Sequence, residues 1–303
     1  YQKLGFSKLV QLTGLLKLFA PNLAAMESLL PPVTPQCFQD NLPEVVPAAG
    51  EKRYRVGRIL GCVQRVFFSG VNEATARVLS ANGCEVVIPK EQGCCSALPA
   101  HQGEEEQAQA LARQMVDVFE AAGVDYVIIN AAGCGHTLKE YGHILRHDPD
   151  YRQRAANFSA KVLDVQEFLM QVGLTAKLHP LTESPLKLVY QDACHLLHGQ
   201  KISAQPRQLL RQIPGIELSE PVDAALCCGS AGVYNMLQPQ VAEELGQMKA
   251  TSLRNTGATM IASSNPGCSL QIQQHLKKQG SSMPLMHPIQ LLDMSLQGKS
   301  LKV

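Results

Sequence analysis

The stretch Gln92-Gly93-Cys94-Cys95-Ser96-Ala97-Leu98 holds two adjacent cysteines, and Cys227-Cys228-Gly229-Ser230-Ala231-Gly232 holds two more. Each pair lies between two single cysteines at nearly the same distances. In the first set, 31 residues separate Cys62 from its pair and 38 separate the pair from Cys134. In the second set, the gaps from Cys194 and to Cys268 are 32 and 39 residues. The repeated spacing indicates that one unit was duplicated.

Length and composition narrow the classes of protein. At about 150 residues per domain, a chain of 303 residues is long enough for two domains, which agrees with the duplicated cysteines. The net charge is +1 with charges of both signs interspersed, and tryptophan is absent. Nucleic acid is therefore not an expected partner, because its binding surfaces combine basic patches with aromatic stacking.

No stretch reaches the roughly 18–20 consecutive apolar residues of a spanning helix, and no signal peptide is recognisable. We therefore expect a cytoplasmic protein, in which reducing conditions keep thiols free for metal or redox chemistry. The chain begins at Tyr1 rather than at methionine, so we expect a truncated or processed chain.

Residues 1–54 precede the two repeats and are expected to form a helix and a proline-rich linker. Residues 4–30 carry apolar side chains at helical spacing with lysines between them, which predicts an amphipathic helix. We expect this helix to pack on its own protein; the alternative is a peripheral contact with a partner or with the inner face of the cell membrane. Five prolines within residues 31–50 predict an extended connector.

The rest of the chain shows one order of elements twice. Strands are predicted at 56–60, 85–88, 126–129, 186–190 and 259–262, and helices at 73–80, 104–122, 208–213 and 233–254. In the last helix, one apolar face carries Leu237, Val241, Leu245 and Met248. We therefore predict an α/β fold of two homologous repeats, residues 55–180 and 181–303. Each is a small, mostly parallel sheet flanked by helices, with the cysteines in loops at strand ends.

Ligands of such sheets bind beyond the carboxyl ends of the strands, so the cysteines of each repeat are expected to gather there. Four thiolates are the usual ligand set of an iron-sulfur cluster, and helix N-termini and glycines beside the cysteines suit its negative charge and size. The candidate cluster ligands are Cys62, Cys94, Cys95, Cys134, Cys194, Cys227, Cys228 and Cys268.

Two alternatives stay open from the residues alone. Four cysteines also hold zinc, although zinc sites more often use Cys-x-x-Cys spacings. The adjacent thiols could act directly in thiol chemistry if helix N-termini lower their pKa. Cys37 and Cys84 have no counterpart in the other half and are expected to be ordinary thiols. The loop histidines are expected to lie near the cysteines without ligating: His101, His136, His195 and His198.

Five segments resemble the duplicated cysteine-rich domain called CCG. They are the two paired-cysteine stretches together with Gly61-Cys62-Val63, Asp192-Ala193-Cys194-His195 and Asn265-Pro266-Gly267-Cys268. That domain occurs in heterodisulfide reductase, in the iron-sulfur subunit of anaerobic glycerol-3-phosphate dehydrogenase and in lactate-utilisation proteins. The resemblance is strongest to the iron-sulfur subunits of bacterial glycolate oxidase, over about residues 55–295.

This resemblance implies an electron-transfer subunit with one or two [4Fe-4S] clusters. Flavin-containing glycolate oxidase subunits would take electrons from a 2-hydroxy acid, and this chain would relay them toward quinone. No catalytic residue is then expected here. A heterodisulfide-reductase-like redox subunit and a zinc-binding docking scaffold are the alternatives.

The chain departs from the family pattern in two ways. The ferredoxin-like Cys-x-x-Cys runs that precede this region in glycolate oxidase subunits do not occur in the sequence, which also favours truncation. The superfamily pattern often ends in Cys-x-x-Cys, whereas no second cysteine follows Cys134 or Cys268. Four thiolates per repeat remain, which suits an ordinary [4Fe-4S] cluster. We expect the second repeat to hold its cluster more tightly, because its glycines bring more backbone N–H groups near sulfur.

Overall fold

The computed structural model describes residues 4–20, 23–24, 27, 31, 33–38 and 41–301. At the N-terminal end are two short helices and a 3₁₀ turn: α1 (Phe6–Thr13), α2 (Leu15–Phe19) and Pro35–Phe38. Gly14 separates the two helices in a left-handed conformation, with φ of 63°. The predicted helix over residues 4–30 is therefore broken at Gly14, and residues 21–22, 25–26 and 28–30 of that prediction lie outside the described residues.

The first repeat contains a five-stranded sheet within the described chain. Its strands are β1 (Val45–Val46), β2 (Tyr54–Arg58), β3 (Cys84–Val87), β4 (Tyr126–Ile129) and β5 (Val162–Asp164). They lie in the order β1-β3-β2-β4-β5, and all neighbours are parallel except β1 and β3. Strand β1 falls in the segment predicted as an extended connector, where it covers the edge of β3.

The helices of this repeat lie on both sides of its sheet. They are α3 (Cys62–Phe67), α4 (Ser69–Ala81), α5 (Ala97–Gln102), α6 (Glu105–Ala121), α7 (Ala132–Lys139), α8 (Tyr141–Ile144), α9 (Arg152–Lys161) and α10 (Val165–Val172). The long helix α6 is close to its predicted bounds. Its buried side is formed by small and apolar side chains: Ala108, Ala112, Met115, Val116 and Phe119.

The second repeat has a four-stranded parallel sheet among the described residues. Its strands are β6 (Leu186–Gln191), β7 (Ile216–Ser219), β8 (Met260–Ser263) and β9 (Leu285–Met286), in the order β7-β6-β8-β9. Its helices are α11 (Ala204–Leu210), α12 (Tyr234–Leu237), α13 (Pro239–Arg254), α14 (Pro266–Lys278) and α15 (Pro288–Leu296), with a π-helix at His195–Gly199. The predicted α/β fold of two mainly parallel sheets with flanking helices is confirmed.

Each repeat places its last helix against the other repeat. Helix α10 packs on α11, and α15 packs on α4. Arg77 on α4 makes a two-pronged ion pair with the buried carboxylate of Asp293 on α15. One hydrophobic core consequently runs through both repeats, with Leu79 and Leu169 of the first beside Leu209 of the second. The carboxyl ends of the two sheets are thereby held close to each other.

The predicted helix over 233–254 differs from the structure in continuity and in its buried face. Pro239 begins α13, and Gln238 before it has a non-helical φ of −128°, as steric conflict with a following proline requires. Leu237, Val241 and Met248 are exposed. Helix α13 instead approaches α14 through small residues, because a Cβ on Gly246 would overlap the imidazole of His275. Large side chains have no room in that contact.

The N-terminal helices do not match the packing expected of them. Apolar side chains of α1 and α2 are largely exposed, with exposed fractions of 85% at Leu12, 74% at Leu18 and 79% at Phe19. Among the described residues, no helix is both long and apolar enough to cross a membrane.

Candidate functional site

The four cysteines of the first repeat lie together at the carboxyl end of its sheet. Cys62 begins α3 just after β2, Cys94 and Cys95 lie in the loop after β3, and Cys134 is in the first turn of α7 after β4. The Sγ atoms of Cys62 and Cys94 are 3.7 Å apart. The Cys95 side chain is hydrogen-bonded to Cys134 and to Cys94. We call these four residues the first tetrad.

The second repeat forms an equivalent group, the second tetrad. Cys194 follows β6, the pair Cys227 and Cys228 follows β7, and Cys268 is in the first turn of α14 after β8. Hydrogen bonds link Cys194 to Cys227 and Cys228 to Cys268. The structure thus brings all eight candidate ligands into two matched groups.

The residue after each cysteine pair has a left-handed backbone. Its φ is 62° at Ser96 and 86° at Gly229. A Cβ at Gly229 would lie 2.5 Å from the carbonyl oxygen of Ala242, so no larger residue fits there without a shift of α13. The turn directs the N–H of Gly229 at Sγ of Cys227, at 3.4 Å. Serine occupies the same conformation in the first repeat at some cost in strain.

Side-chain contacts fix the loop of the first pair. Gln92 accepts a hydrogen bond from the N–H of Leu60 at 2.7 Å and donates to the carbonyl oxygen of Pro89. These bonds join the loop to Leu60, two residues before Cys62. Tyr141, which is fully buried on α8, donates its hydroxyl to the carbonyl oxygen of Cys95 at 3.1 Å.

Three thiols of the first tetrad have raised pKa values, which favours their protonated forms. Hydrogen bonding with Cys94, and then burial, raise the pKa of Cys62. The bond with Cys62 lowers the pKa of Cys94, but the bond with Cys95 and burial outweigh it, so that this pKa is also raised. Hydrogen bonding with Cys134 raises the pKa of Cys95 well above its ordinary value.

The second tetrad differs, because two of its sulfurs are stabilised as thiolates. Hydrogen bonds with Cys194 and Cys228 lower the pKa of Cys227, aided by the Gly229 N–H. A hydrogen bond with Cys228 lowers the pKa of Cys268, and the Asn265 amide contributes to this effect. The pKa values of Cys194 and Cys228 are raised in return. Before any metal binds, two of the four sulfurs in the second tetrad therefore favour the thiolate form that metals require.

A different buried cation faces each tetrad. Lys249 on α13 is fully buried and donates to the carbonyl oxygens of Asp223 and Ala224, in the loop before the second pair. Burial lowers the pKa of Lys249, while the nearby charges of Asp192 and the second-tetrad cysteines raise it. In the first repeat, burial lowers the pKa of Arg58 on β2 to about 9, against the opposing effects of Asp164 and Cys134. Both cations can offset negative charge on sulfur.

Three of the predicted histidines cluster between the tetrads. The rings of His101 and His136 lie 5.0 and 5.4 Å from that of His195, centroid to centroid. His195 Nδ1 is 3.8 Å from Sγ of Cys194. Burial is the main cause that lowers the pKa of His101 and of His195, which favours neutral rings. His198 is exposed on the π-helix.

A cavity of about 290 Å³ lies where the two repeats meet. All four cysteines of the first tetrad line it, whereas the second repeat contributes mainly apolar and small residues that include Val233, Met236 and Leu270. The side-chain oxygens of Gln64 and Asn235 are buried at this cavity and have no hydrogen-bond partner within the described chain. The first tetrad is therefore open to a small molecule.

The two remaining cysteines lie elsewhere. Cys84 is buried at the start of β3, at the end of the strand away from the tetrad, and burial raises its pKa to about 12. Cys37 lies in the N-terminal 3₁₀ turn, where its sulfur accepts from the N–H of Thr34 at 3.4 Å.

Three residues of the site were not predicted as functional. Arg58 is flanked by Val56-Gly57 and Ile59-Leu60, a pattern that could have marked it as a buried charge. Lys249 has no such signal, because a lysine within a helix is normally exposed. Asn265 belongs to the CCG-like segment Asn265-Pro266-Gly267-Cys268, but its side-chain contact depends on how the two repeats meet.

The donor set fits an iron-sulfur cluster. Each tetrad offers four thiols, the usual number of ligands, together with backbone N–H groups and a buried cation that suit a negatively charged group. Among the residues that the structure describes, no three His, Cys, Asp or Glu side chains are arranged as ligands of one metal ion. The sulfurs form a row of contacts in each repeat.

Comparison with known proteins identifies the domain. Residues 56–139 and 188–273 both match the family described as "Cysteine-rich domain", CCG. The chain belongs to this family. The predicted duplicated CCG domain is confirmed, and each matched CCG segment contains one complete tetrad. Residues 1–30 match the family described as "Glycolate oxidase iron-sulfur subunit, linker region".

Individual relatives of this CCG protein agree with the family match. It is 38% identical over 282 residues to a protein of Bacillus subtilis named "Probable glycolate oxidase iron-sulfur subunit", covering 93% of this chain and 63% of that relative. It is 28% identical to "Lactate utilization protein A" of an Exiguobacterium strain, covering 78% of this chain and 96% of that protein. The chain thus spans less than two thirds of the glycolate oxidase relative.

A solved structure supports the fold. A hypothetical protein from Helicobacter pylori superimposes with a TM-score of 0.57 at 12% identity, covering 93% of this chain and 54% of that one. At this identity the likeness concerns the fold alone.

The opposite pKa shifts of Cys94 and Cys227 predict different alkylation profiles in the reduced, metal-free protein. Each is the first member of its pair and each is partly buried. Only thiolate reacts, so labelling of Cys94 should fall about tenfold per pH unit below its raised pKa, whereas labelling of Cys227 should change little between pH 8 and pH 6. Mass spectrometry after iodoacetamide pulses measures both. Parallel pH profiles for the two cysteines would contradict the assigned thiolate.

Proposed function

We propose that this chain is an electron-transfer iron-sulfur subunit of a complex that oxidises a 2-hydroxy acid, and that each tetrad holds one [4Fe-4S] cluster. The observation that carries the proposal is the convergence of eight cysteines into two matched groups of four. Such a cluster, when bound, takes up and gives back single electrons. The protein's own contribution is to supply four sulfur ligands per repeat and to surround them with N–H donors and a cation.

The proposed substrate and partner rest on the relatives. Their printed names connect glycolate oxidase and lactate utilisation with chains of this kind. We infer that glycolate is oxidised on a flavin-containing partner subunit, because the relative from Bacillus subtilis is named as the iron-sulfur subunit of a glycolate oxidase. This chain then carries electrons away from the flavin.

The second tetrad is proposed to bind its cluster more tightly. It has two sulfurs stabilised as thiolates, the Gly229 N–H and the buried Lys249, whereas the pKa values of three thiols in the first tetrad are raised. Metal binding must displace those protons, which weakens binding at a given pH.

Serine variants test this ranking. Cys268→Ser or Cys227→Ser should remove more of the visible cluster absorbance than Cys134→Ser or Cys94→Ser. The reason is that the first two variants disrupt the second tetrad, which is expected to be more fully occupied. Iron and acid-labile sulfide are measured on anaerobically purified protein, and Cys84→Ser serves as a control that retains both. Equal losses from the two repeats, or a larger loss from the first, would reverse the ranking.

The cavity is the proposed place where a small electron acceptor meets the first tetrad. Its walls combine apolar side chains with buried polar atoms, a pattern common to pockets for small organic molecules. A quinone matches this chemistry, with an apolar ring and polar carbonyl oxygens. The exposed apolar side chains of α1 and α2, with Lys8 among them, support a peripheral contact with the membrane that carries such quinones.

Filling the cavity should block the acceptor. We expect reoxidation of the chemically reduced protein by a short-chain quinone to saturate with quinone concentration, and Leu270→Trp to slow it at least tenfold. The matched control is Leu237→Trp, which adds the same ring at a position that is 69% exposed. Stopped-flow absorbance follows the reaction, with iron content shown to be equal. Unchanged reoxidation of Leu270→Trp would remove the cavity from the proposal.

Direct thiol-disulfide chemistry is the second candidate, favoured by one observation. The Sγ atoms of Cys62 and Cys94 are close enough for mutual oxidation and both residues line the cavity. Protein that holds no iron after reconstitution, yet exchanges with a small disulfide at these two residues, would support this candidate. Stoichiometric zinc in fresh protein, unchanged by iron, would instead support a zinc-binding scaffold.

A further inference from the structure

One side chain connects the two tetrads directly. The Oδ1 atom of Asn265 accepts a hydrogen bond from the N–H of Gly133 at 3.0 Å, next to Cys134 of the first tetrad. The Nδ2 atom of the same amide donates to Sγ of Cys268, in the second tetrad, at 3.5 Å. The amide therefore lies between the last cysteine of one repeat and the last cysteine of the other.

The position of Asn265 makes this contact unusual. It is the N-cap residue of α14, with an extended backbone (φ −144°, ψ 125°). An asparagine there normally accepts a hydrogen bond from an N–H of its own helix. Asn265 makes no such capping bond. Its acceptor oxygen is instead used by the other repeat, so a role in helix capping does not explain the residue.

The contact exists in one direction only. In the first repeat the equivalent N-cap residue is Ala131, which also precedes its cysteine by three positions and has a similar backbone (φ −128°, ψ 112°). Alanine has no group that could reach the second repeat. The second tetrad therefore receives an amide donor that the first lacks.

Neighbouring residues hold the amide in place. The N–H of Ala132 donates to the carbonyl oxygen of Ser264 at 3.1 Å. The backbones of the two repeats are therefore hydrogen-bonded two residues before Cys134 and four residues before Cys268. Ser264 is itself fixed by a hydrogen bond from Gln166 at 3.0 Å. A Cβ on Gly267 would lie 3.4 Å from Nδ2 of Asn265 and 2.8 Å from Oγ of Ser230. Glycine at this position leaves room for the amide.

We propose that Asn265 is a positioning residue that couples the two metal centres: it raises the reduction potential of the centre bound by Cys268 and provides a hydrogen-bonded path to Cys134. This inference rests on the proposed function. The physical reason is that reduction adds negative charge near the sulfurs, and an N–H donor stabilises the reduced form more than the oxidised form. The centre at the second tetrad would then hold an electron more strongly than the centre at the first tetrad.

Three variants separate the two ends of the amide. Asn265→Leu removes both hydrogen bonds with little change in volume. Asn265→Asp keeps an acceptor for Gly133 but replaces the donor by an anion beside Cys268. Asn235→Leu is the matched control, because Asn235 lines the same cavity but donates its amide to Gln271. The proteins are purified anaerobically, and iron content is measured for each.

Redox titration followed by EPR gives the first readout. Asn265→Leu should lower the reduction equilibrium constant of the centre bound by Cys268 about tenfold. For a one-electron couple, this corresponds to a reduction potential about 59 mV lower. Asn265→Asp should lower it further, and Asn235→Leu should leave it unchanged. Potentials that are the same in all four proteins would overturn the inference, as would equal shifts in both centres.

Hydrogen exchange gives a readout that does not depend on metal. The amide of Gly133 should lose protection in Asn265→Leu and keep it in Asn265→Asp, whether or not iron is bound. Wild-type protein without iron would contradict the proposed function, and in that case loss of Gly133 protection in Asn265→Leu would still support the bridge. Iron-loaded variants with unchanged potentials would contradict the inference alone.

Discussion

The burial of several sulfurs beside one another is the constraint on which the rest of this structure depends. Thiolates are costly to bury unless hydrogen bonds and opposite charges compensate them. Each repeat meets this cost by ending three parallel strands side by side, so that three loops deliver four cysteines to one edge. The left-handed turn after each pair then directs backbone N–H groups toward sulfur, which explains the glycine at position 229.

The compensation is unequal in the two repeats, and this inequality distinguishes the two tetrads. Lys249, Asn265 and the Gly229 N–H all favour negative charge on the second tetrad. The first tetrad has Arg58 nearby, but three of its thiols have raised pKa values, none has a lowered one, and all four line the cavity. The first tetrad is thus suited to contact a small molecule, and the second tetrad to stabilise negative charge on its sulfurs. Helix α10 of the first repeat packs on the second, and α15 of the second packs on the first. The two tetrads are therefore held in a fixed relation, because neither repeat can move without opening the shared core.

The sequence predicted the features that depend on local pattern. The cysteine spacing identified both tetrads, and the alternation of strands and helices identified the α/β class, since parallel strands must be joined by crossover helices. The same reasoning placed Leu237, Val241 and Met248 together on one face, but it could not show that this face is exposed. That outcome depends on Gly246 and His275, which meet only when α13 packs on α14.

Residues whose roles arise from contacts between the repeats could not be predicted. Asn265 is a typical N-cap residue in the sequence, but its side-chain oxygen accepts a hydrogen bond from Gly133 of the other repeat and not from its own helix. Lys249 is buried only because the loop before Cys227 folds over α13. Strand β1 has only two residues and helix α9 is mostly polar, so neither gives a clear periodic signal in the sequence.

Mössbauer and EPR spectroscopy of the anaerobically purified chain, combined with iron and sulfide analysis, measure directly whether each tetrad holds a four-iron cluster. Two distinct four-iron clusters are expected, with about eight iron atoms and about eight sulfides per chain. Carefully reconstituted protein that holds neither iron nor sulfide, or that holds zinc which iron does not displace, would contradict this expectation.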